Sequence, residues 1–464
     1  MYYNHRHKED FMSVSVGFIS LGCAKNLVDS QIMAGYLKSG KIALASAPEC
    51  ADIILVNTCA FIDIAREEAT ESILSACAHK ANGDCQAVIV TGCMVQRYKE
   101  RLAEAFPEVD GFLGIDELDQ IARLVEQVTE GRERVMIAEQ GEAVRSFDPL
   151  YPTLLFTGGP FAYLKISDGC NHRCAYCSIP DIRGRFRSRD DGAIYEEAFC
   201  MVEAGVRELN IISQDTLNYG ADKSALPSIE ALLRRLDQLE GAFRIRLLYS
   251  YPSSVTDELL EILNTGRHIC KYLDLPIQHS HPEMLRAMNR AATVEATQDL
   301  AERMRAAVPG VVLRTTCMVG FPGETEEHFE HLLRYAERSE FDHLGVFVFS
   351  PEEDTPAFEM DDLPELEVAE ERCRRLMELQ KNVVRKKMQA LIGSEDDLLL
   401  LRQAGDLWYG RLPRQAPDVD GETRVSAVPA TAQAGDFLRV RITGGADYDL
   451  EALCIDPVCG ATME

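Results

Sequence analysis

Apolar runs of strand length recur along the chain, each followed by a longer stretch of helical periodicity, and this alternation commits it to parallel α/β sheets. Near the start, SVGFISLGC, ADIILVNTC and QAVIVTGC read as buried strands closing at Cys23, Cys59 and Cys93. DSQIMAGYLKSG and AREEATESILSACAHKAN lie between them and have helical length. Parallel strands share a direction, so their carboxyl ends line one edge. Three thiols just past three such ends can converge without any local motif, although strands also often end in small buried residues.

The alternation resumes with FAYLKIS, ELNIISQ, FRIRLLYS, KYLDLPIQ, VVLRTTCMVG and HLGVFVFS. Helical stretches such as AIYEEAFCMVEAGV, SIEALLRRLDQLE and TVEATQDLAERMRAAV separate them. Six strand–helix units predict a complete or partial β/α barrel with its chemistry at the carboxyl ends of the strands. LEVAEERCRRLMELQKNVVRKKMQALIG predicts one long connecting helix ended by Gly393, with Leu376, Leu379 and Val383 at helical spacing. Beyond it, DDLLLLRQ, DLWYGRLP, ETRVSAV and DFLRVRITGG, broken by turn signals, predict a small antiparallel β-barrel. The fold class is therefore α/β with an appended barrel, and the expected domains are 14–130, 156–388 and 389–459.

Fifteen cysteines are an odd count in a large chain, which argues for metal or redox chemistry over a disulfide framework, with some thiols serving only to pack. No apolar run approaches the roughly 20 residues of a membrane span, and the opening MYYNHRHKED is polar. A cytoplasmic protein with no membrane partner is expected. Regular patterning begins only at SVSVGFIS, so the first decapeptide is expected to be a disordered extension, with Met12 an equally good start. A net charge of −27 repels polyanions unless a local basic patch intervenes.

SDGCNHRCAYCSIP places Cys170, Cys174 and Cys177 as C-x3-C-x2-C directly after the first strand of the central region. Three thiolates this close can hold three corners of a cubane cluster, whereas structural zinc takes four closed ligands, usually as two separated pairs. If only three thiolates bind, the fourth iron keeps an open position for a cofactor.

This motif resembles the radical S-adenosylmethionine superfamily. The resemblance implies that the open iron chelates the methionine moiety and that one electron then releases a 5′-deoxyadenosyl radical. It also implies that Tyr176, at the aromatic position before the last cysteine, packs the adenine; ordinary packing is the alternative. Together with GCAKN, NTCAF and TGCMV, the chain resembles the methylthiotransferase family over nearly its whole length, with a C-terminal TRAM-like barrel. That resemblance implies two [4Fe-4S] clusters, an auxiliary one on Cys23, Cys59 and Cys93 and a radical one on Cys170, Cys174 and Cys177. It further implies two uses of S-adenosylmethionine, an electron donor and a sulfur donor.

SLGCAKNLVDSQ, ISQDTLNYG, YLDLPIQHSHPEMLRAMNR, MVGFPGETEE and GVFVFSPEEDTPAF look most like the branch that modifies the β-carbon of an aspartate in small-subunit ribosomal protein twelve. Gln31 stands where that pattern has glutamate, and Asp354 where it has glycine. A tRNA adenosine methylthiotransferase is the alternative within the family. Outside it stand an iron–sulfur electron carrier and an RNA-binding scaffold, neither of which would release 5′-deoxyadenosine.

Other residues carry weaker signals. Gly320, Gly323 and Glu324 of GFPGE are candidates to line the cofactor site, though not as a P-loop. His279 and His281 could act in acid–base or substrate contacts, or merely hydrogen-bond a loop. Arg183, Arg185, Arg187 and Arg189 could neutralise the cofactor carboxylate or engage substrate, or form a solvated or salt-bridged face. Cys454 and Cys459 match no ligand set and read as incidental thiols.

Overall fold

A computed structural model describes residues 14–131, 134–138, 156 and 159–456. The opening decapeptide, Met12 and Cys459 lie outside these residues. The chain divides into two compact units, one formed by the described residues up to Phe156 with 168–170 and 178–185, the other by the remainder.

In the first unit, strands β1 (Ser15–Ser20), β2 (Ala43–Leu44), β3 (Ile53–Thr58), β4 (Ala87–Gly92), β5 (Gly111–Leu113) and β6 (Val135–Ile137) form one sheet in the order β2-β1-β3-β4-β5-β6. Every pairing is parallel. Successive β3 side chains explain the layering. Ile54 and Val56 enter a core with Ala69, Ile73 and Ala76 of α2 (Asp63–Asn82), while Ile53 and Leu55 enter another with Met33 and Leu37 of α1 (Ala24–Ser39). Apolar side chains on both faces, each stabilising by roughly 1.5–3 kcal/mol when buried, require helices on both faces. Helices α3 (Cys93–Tyr98), α4 (Glu100–Ala105) and α5 (Ile121–Thr129) complete the wrapping. A short helix, α6 (Ile179–Arg183), packs here too, its Ile182 joining the core that holds Cys93.

The second unit contains β7 (Phe161–Lys165), β10 (Glu208–Ile212), β11 (Arg244–Leu247), β12 (Ile269–Asp274), β13 (Val312–Val319) and β14 (His343–Val348), while the two-residue strands β8 (Ser167–Asp168) and β9 (Arg187–Ser188) pair in a small sheet of their own. The six longer strands form a parallel sheet ordered β14-β13-β12-β11-β10-β7, with no closing pair among the described residues. It is a partial barrel. Helices α7 (Asp191–Glu203), α8 (Ile229–Leu236), α9 (Asp257–Thr265) and α10 (Pro282–Ala287) begin at caps where Asp190, Ser228, Thr256 and His281 accept backbone N–H groups.

The stretch expected to form one helix from Thr293 is broken into α11 (Val294–Gln298) and α12 (Leu300–Ala307). Asp299 leaves the helical region, with φ −118° and ψ 25°, and its carbonyl accepts the Arg303 N–H that starts the next turn. Helix α13 (Glu326–Ser339) opens on a capping box between Thr325 and His328. Helix α14 (Leu366–Leu391) is more than a connector, because Ala369, Leu376, Val383 and Val384 are buried along it.

The terminal barrel closes through β15 (Glu395–Ala404), β16 (Leu407–Arg411), β17 (Thr423–Ser426), β19 (Asp449–Asp456) and β18 (Phe437–Ala446). Its β17–β19 seam is parallel and the other four are antiparallel. Five strands cannot alternate direction all the way round a closed ring, so one parallel seam is a topological necessity. The end of β16 and the segment after it dock on the amino-terminal side of the central strands. Arg411 reaches Glu208 at 3.4 Å, and Asp420 accepts from Tyr272 at 2.7 Å and Arg314 at 2.8 Å. The opposite strand ends carry the motif loops.

Candidate iron–sulfur sites

Cys23, Cys59 and Cys93 follow the carboxyl ends of β1, β3 and β4, the three adjacent strands at the middle of the first sheet. Gly22, at φ +83°, brings the chain so close to β3 that a Cβ there would lie 2.7 Å from the Cβ of Cys59. Asn26 ties the same ends together. Its Nδ2 donates to Leu21 O at 3.2 Å and Thr58 O at 2.9 Å, while Asn57 Nδ2 donates to Asn26 O at 2.7 Å.

Cys59 and Cys93 are buried and Cys23 is exposed, leaving the triplet open on one side. Burial raises the Cys59 thiol and pushes Cys93 up to about 12. Each therefore keeps its proton at neutral pH unless a metal displaces it. Soft sulfur donors converging from three strand ends fit an iron–sulfur cluster with one iron left open.

Arg183 joins this layer. Its Nη1 lies 2.9 Å from Asp29 Oδ2 and 3.3 Å from Asp168 Oδ2; its Nη2 lies 2.6 Å from Asn26 Oδ1 and 3.4 Å from Cys93 Sγ. Burial opposes its charge, but Asp29, Cys93 and Asp168 outweigh that and hold its pKa well above the ordinary value.

The second triplet lies on the loop between β8 and α6. Cys170 donates its backbone N–H to Gly184 O at 3.2 Å, and the Cys177 N–H reaches Cys174 O at 3.1 Å in a tight turn. Cys174 is buried while Cys170 and Cys177 are half-buried. Arg290 supports the last two-thirds of the motif. Its Nη1 lies 3.6 Å from Cys174 Sγ and 3.5 Å from Tyr176 Oη, its Nη2 donates to Pro276 O at 2.7 Å, and its guanidinium lies 4.2 Å from the Tyr251 ring centroid. His172 stacks on the other aromatic partner in this group, Tyr251, at 3.7 Å and bonds Asp215 at 2.8 Å. Burial pushes the Tyr176 hydroxyl well up, so it remains neutral.

The weaker candidates separate. Gly320 has φ +74°, and a Cβ there would meet the Ala369 Cβ at 2.5 Å. The Glu324 carboxylate turns inward, accepting from Gly320 N–H and, at 2.9 Å, from Arg372, with His279 Nε2 at 3.3 Å. Gly323 has open space around it. His279 is buried and neutral, its pKa lowered by burial, and its Nδ1 accepts the His281 N–H. His281, Glu283 and His328 gather within 4.8 Å, but Nδ1 of His281 accepts from Glu283 N–H and Nδ1 of His328 from Thr325 N–H, so both rings serve as helix caps.

The arginine run does not share one face. Arg183 and Arg189 are buried and ion-paired, Arg189 with Glu197 at 2.6 Å, whereas Arg185 is exposed. Asp354 adopts φ +65°, which accounts for glycine in the family pattern at that place. Cys454 lies on β19 against the barrel core, and none of the fourteen described cysteines forms a disulfide. Sequence reasoning missed Asn26, Asp29, Arg290, Tyr251, His172 and Asp215. All but Tyr251 lie within the quoted motif segments, His172 between Cys170 and Cys174, Asn26 and Asp29 in SLGCAKNLVDSQ, Asp215 in ISQDTLNYG and Arg290 at the end of YLDLPIQHSHPEMLRAMNR.

Comparison with known proteins places these features in a class. Residues 164–336 match the radical SAM superfamily, 15–114 the uncharacterized protein family UPF0004, and 392–455 the TRAM domain. A radical S-adenosylmethionine methyltransferase, TsrM from Kitasatospora setae, shares the fold at a TM-score of 0.56 and 15% identity, covering 75% of this chain and 74% of its own. The chain is thus a radical S-adenosylmethionine enzyme.

Its sequence relatives are more specific. Ribosomal protein uS12 methylthiotransferase RimO of Geobacter sulfurreducens is 42% identical over 94% of this chain and 97% of its own length. That of Symbiobacterium thermophilum is 44% identical over 96% of this chain and 92% of its own. The chain belongs to the ribosomal protein uS12 methylthiotransferase family.

Proposed function

We propose that this enzyme attaches a methylthio group to the β-carbon of one aspartate in ribosomal protein uS12. The observation that carries the proposal is the pair of three-cysteine sets, each at the carboxyl ends of parallel strands, in a chain whose relatives bear that activity in their names. Cys170, Cys174 and Cys177 would hold the radical cluster and Cys23, Cys59 and Cys93 the auxiliary one. When bound, the radical cluster supplies the electron that cleaves the S-adenosylmethionine sulfonium.

The protein's own groups divide the remaining work. Arg290 buttresses the Cys174 turn and fixes Tyr176, which supports an adenine-packing role for that ring. Glu324 holds the Gly320 turn after β13 by its inward hydrogen bonds, so the loop offers the cofactor backbone rather than a free carboxylate. Within this reading, residues 14–130 carry the auxiliary site, 156–388 the radical core and 389–459 the TRAM-like barrel. An electron donor and a sulfur donor complete the set of partners. None of the described helices is long and apolar enough to cross a membrane, consistent with a cytoplasmic site of action.

Charge supports a protein substrate over tRNA. From Ala390 onward there are 13 Asp or Glu against six Arg and no Lys, a difference of −7. Such a surface attracts a basic ribosomal protein and repels RNA through its summed field. The test offers both substrates to the reduced enzyme with S-adenosylmethionine and reads methylthio addition by mass. Modification of uS12 is expected; modification of tRNA alone would reject the assignment while keeping the enzyme class.

A further inference from the structure

We propose that Arg183 is a positioning residue for the auxiliary cluster, donating a hydrogen bond to the Cys93 sulfur and raising the reduction potential of the iron–sulfur group there. This rests on the reading that Cys23, Cys59 and Cys93 hold that group. The donor geometry comes first. Nη2 of Arg183 is 3.4 Å from Cys93 Sγ and 2.6 Å from Asn26 Oδ1, and Asn26 cannot rotate away because its Nδ2 is committed to Leu21 O and Thr58 O. The guanidinium is thereby aimed at one sulfur.

A purely structural arginine is the competing account, with Asp29 as its reason. An arginine recruited to neutralise a carboxylate commonly presents both terminal nitrogens to it as a fork. Here Nη1 faces the carboxylates, Asp29 at 2.9 Å and Asp168 at 3.3 Å, while Nη2 lies against the amide oxygen and the thiol. The side chain is only 2% exposed. A buried ion pair is often no more stabilising than apolar packing, so fold stability alone gives weak cause for charge at this point.

The consequence is electrostatic. Arginine stays cationic in proteins, and hydrogen bonds to ligating sulfur and nearby positive charge both favour the more negative, reduced state of a cluster. Arg183 sits where both effects act on one ligand. Removing its charge should make the auxiliary group harder to reduce without removing any ligand.

The test uses the full chain with Cys170, Cys174 and Cys177 replaced by Ala, reconstituted anaerobically so that the auxiliary group alone is present. Iron content and an EPR-monitored redox titration are read with Arg183 intact, in Arg183→Gln and in Arg183→Lys. Failure of the Arg183-intact protein to bind about four irons would defeat the auxiliary-site reading before Arg183 is tested. With iron retained, Arg183→Gln is expected to lower the reduced-to-oxidised ratio at the parent midpoint at least tenfold, or 59 mV for one electron, with Arg183→Lys intermediate. Should Arg183→Gln lose its iron, Arg183→Lys with four irons and a lowered midpoint carries the same support. An unchanged midpoint in an iron-replete variant would overturn the proposal. So would loss of iron from both variants, which would make Arg183 a structural pillar only.

Discussion

Replacing Glu208 by Gln should loosen the attachment of the terminal barrel to the central sheet. Glu208 is fully buried at the start of β10, its Oε2 2.7 Å from Arg244 Nε and 2.6 Å from Arg244 Nη2. Its Oε1 lies 3.5 Å from Arg246 and 3.4 Å from Arg411. Glutamine can keep an oxygen toward Arg244, but its amide NH2 must then face two guanidinium donors. Removing the acceptor's charge from the two bonds to Arg244 costs about 1 kcal/mol each, and stranding the other donors adds about 1–3 kcal/mol. The total of about 3–5 kcal/mol agrees with breaking a buried ion pair by removing one partner and exceeds two powers of ten in the folding equilibrium.

Trp408, the sole tryptophan, lies on β16 three residues before Arg411 and reports this transition by fluorescence during urea unfolding. The midpoint should fall with the slope unchanged. Burial raises the Glu208 pKa, but Arg244, Arg411 and Arg246 outweigh it and hold the carboxyl far below the ordinary range. The stabilisation is therefore complete above the unfolded value of about 4.3 and is lost as pH falls through the depressed folded value, so the parent–variant gap should narrow only under strongly acidic conditions. A gap below about 0.5 kcal/mol at pH 7 would refute the reasoning, since ordinary surface substitutions reach that size.

Gly320→Ala should lower thermal stability by about 2–4 kcal/mol, combining a left-handed φ with a methyl forced against Ala369; calorimetry reads it. Joint replacement of Cys170, Cys174 and Cys177 should abolish 5′-deoxyadenosine release, measured by liquid chromatography, while leaving roughly half of about eight irons. Joint replacement of Cys23, Cys59 and Cys93 should leave that release measurable and eliminate the methylthio product in mass spectra. Asn26→Ala removes the amide joining the ends of β1 and β3 to Arg183, so it should cut iron toward about four per chain by colorimetric assay while radical generation persists.

The long apolar runs made most strands legible, because a strand buried on both faces needs no alternation to be recognised. ADIILVNTC is the clearest case, with every residue of β3 buried. The strands that escaped are short, as with β5 and β6, or weakly patterned, as with β19, where DLEALCID alternates around charged and polar residues. The break at Asp299 was invisible because TVEATQDLAERMRAAV keeps helical composition across it. For the sites, cysteine spacing and strand position named the candidate ligands, but local spacing says nothing about Arg290, which meets Cys174 only after the chain has traversed β10, β11 and β12.

The two arginines suggest a rule for how such ligand sets are completed. In the first triplet Arg183 approaches Cys93, at 6% exposure the most buried of the three thiols, and in the second Arg290 approaches Cys174, the one buried member. A thiolate suffers most from desolvation at the deepest position, so that is where a fixed cation lowers its cost most. The exposed member of a set needs no such help, because water screens it. Each guanidinium is also aimed by a carbonyl oxygen, Asn26 Oδ1 for Arg183 and Pro276 O for Arg290, which leaves the sulfur contact as a consequence of tertiary placement rather than side-chain choice alone. A reading confined to cysteine codes therefore finds the ligands and misses the charges that set their chemistry.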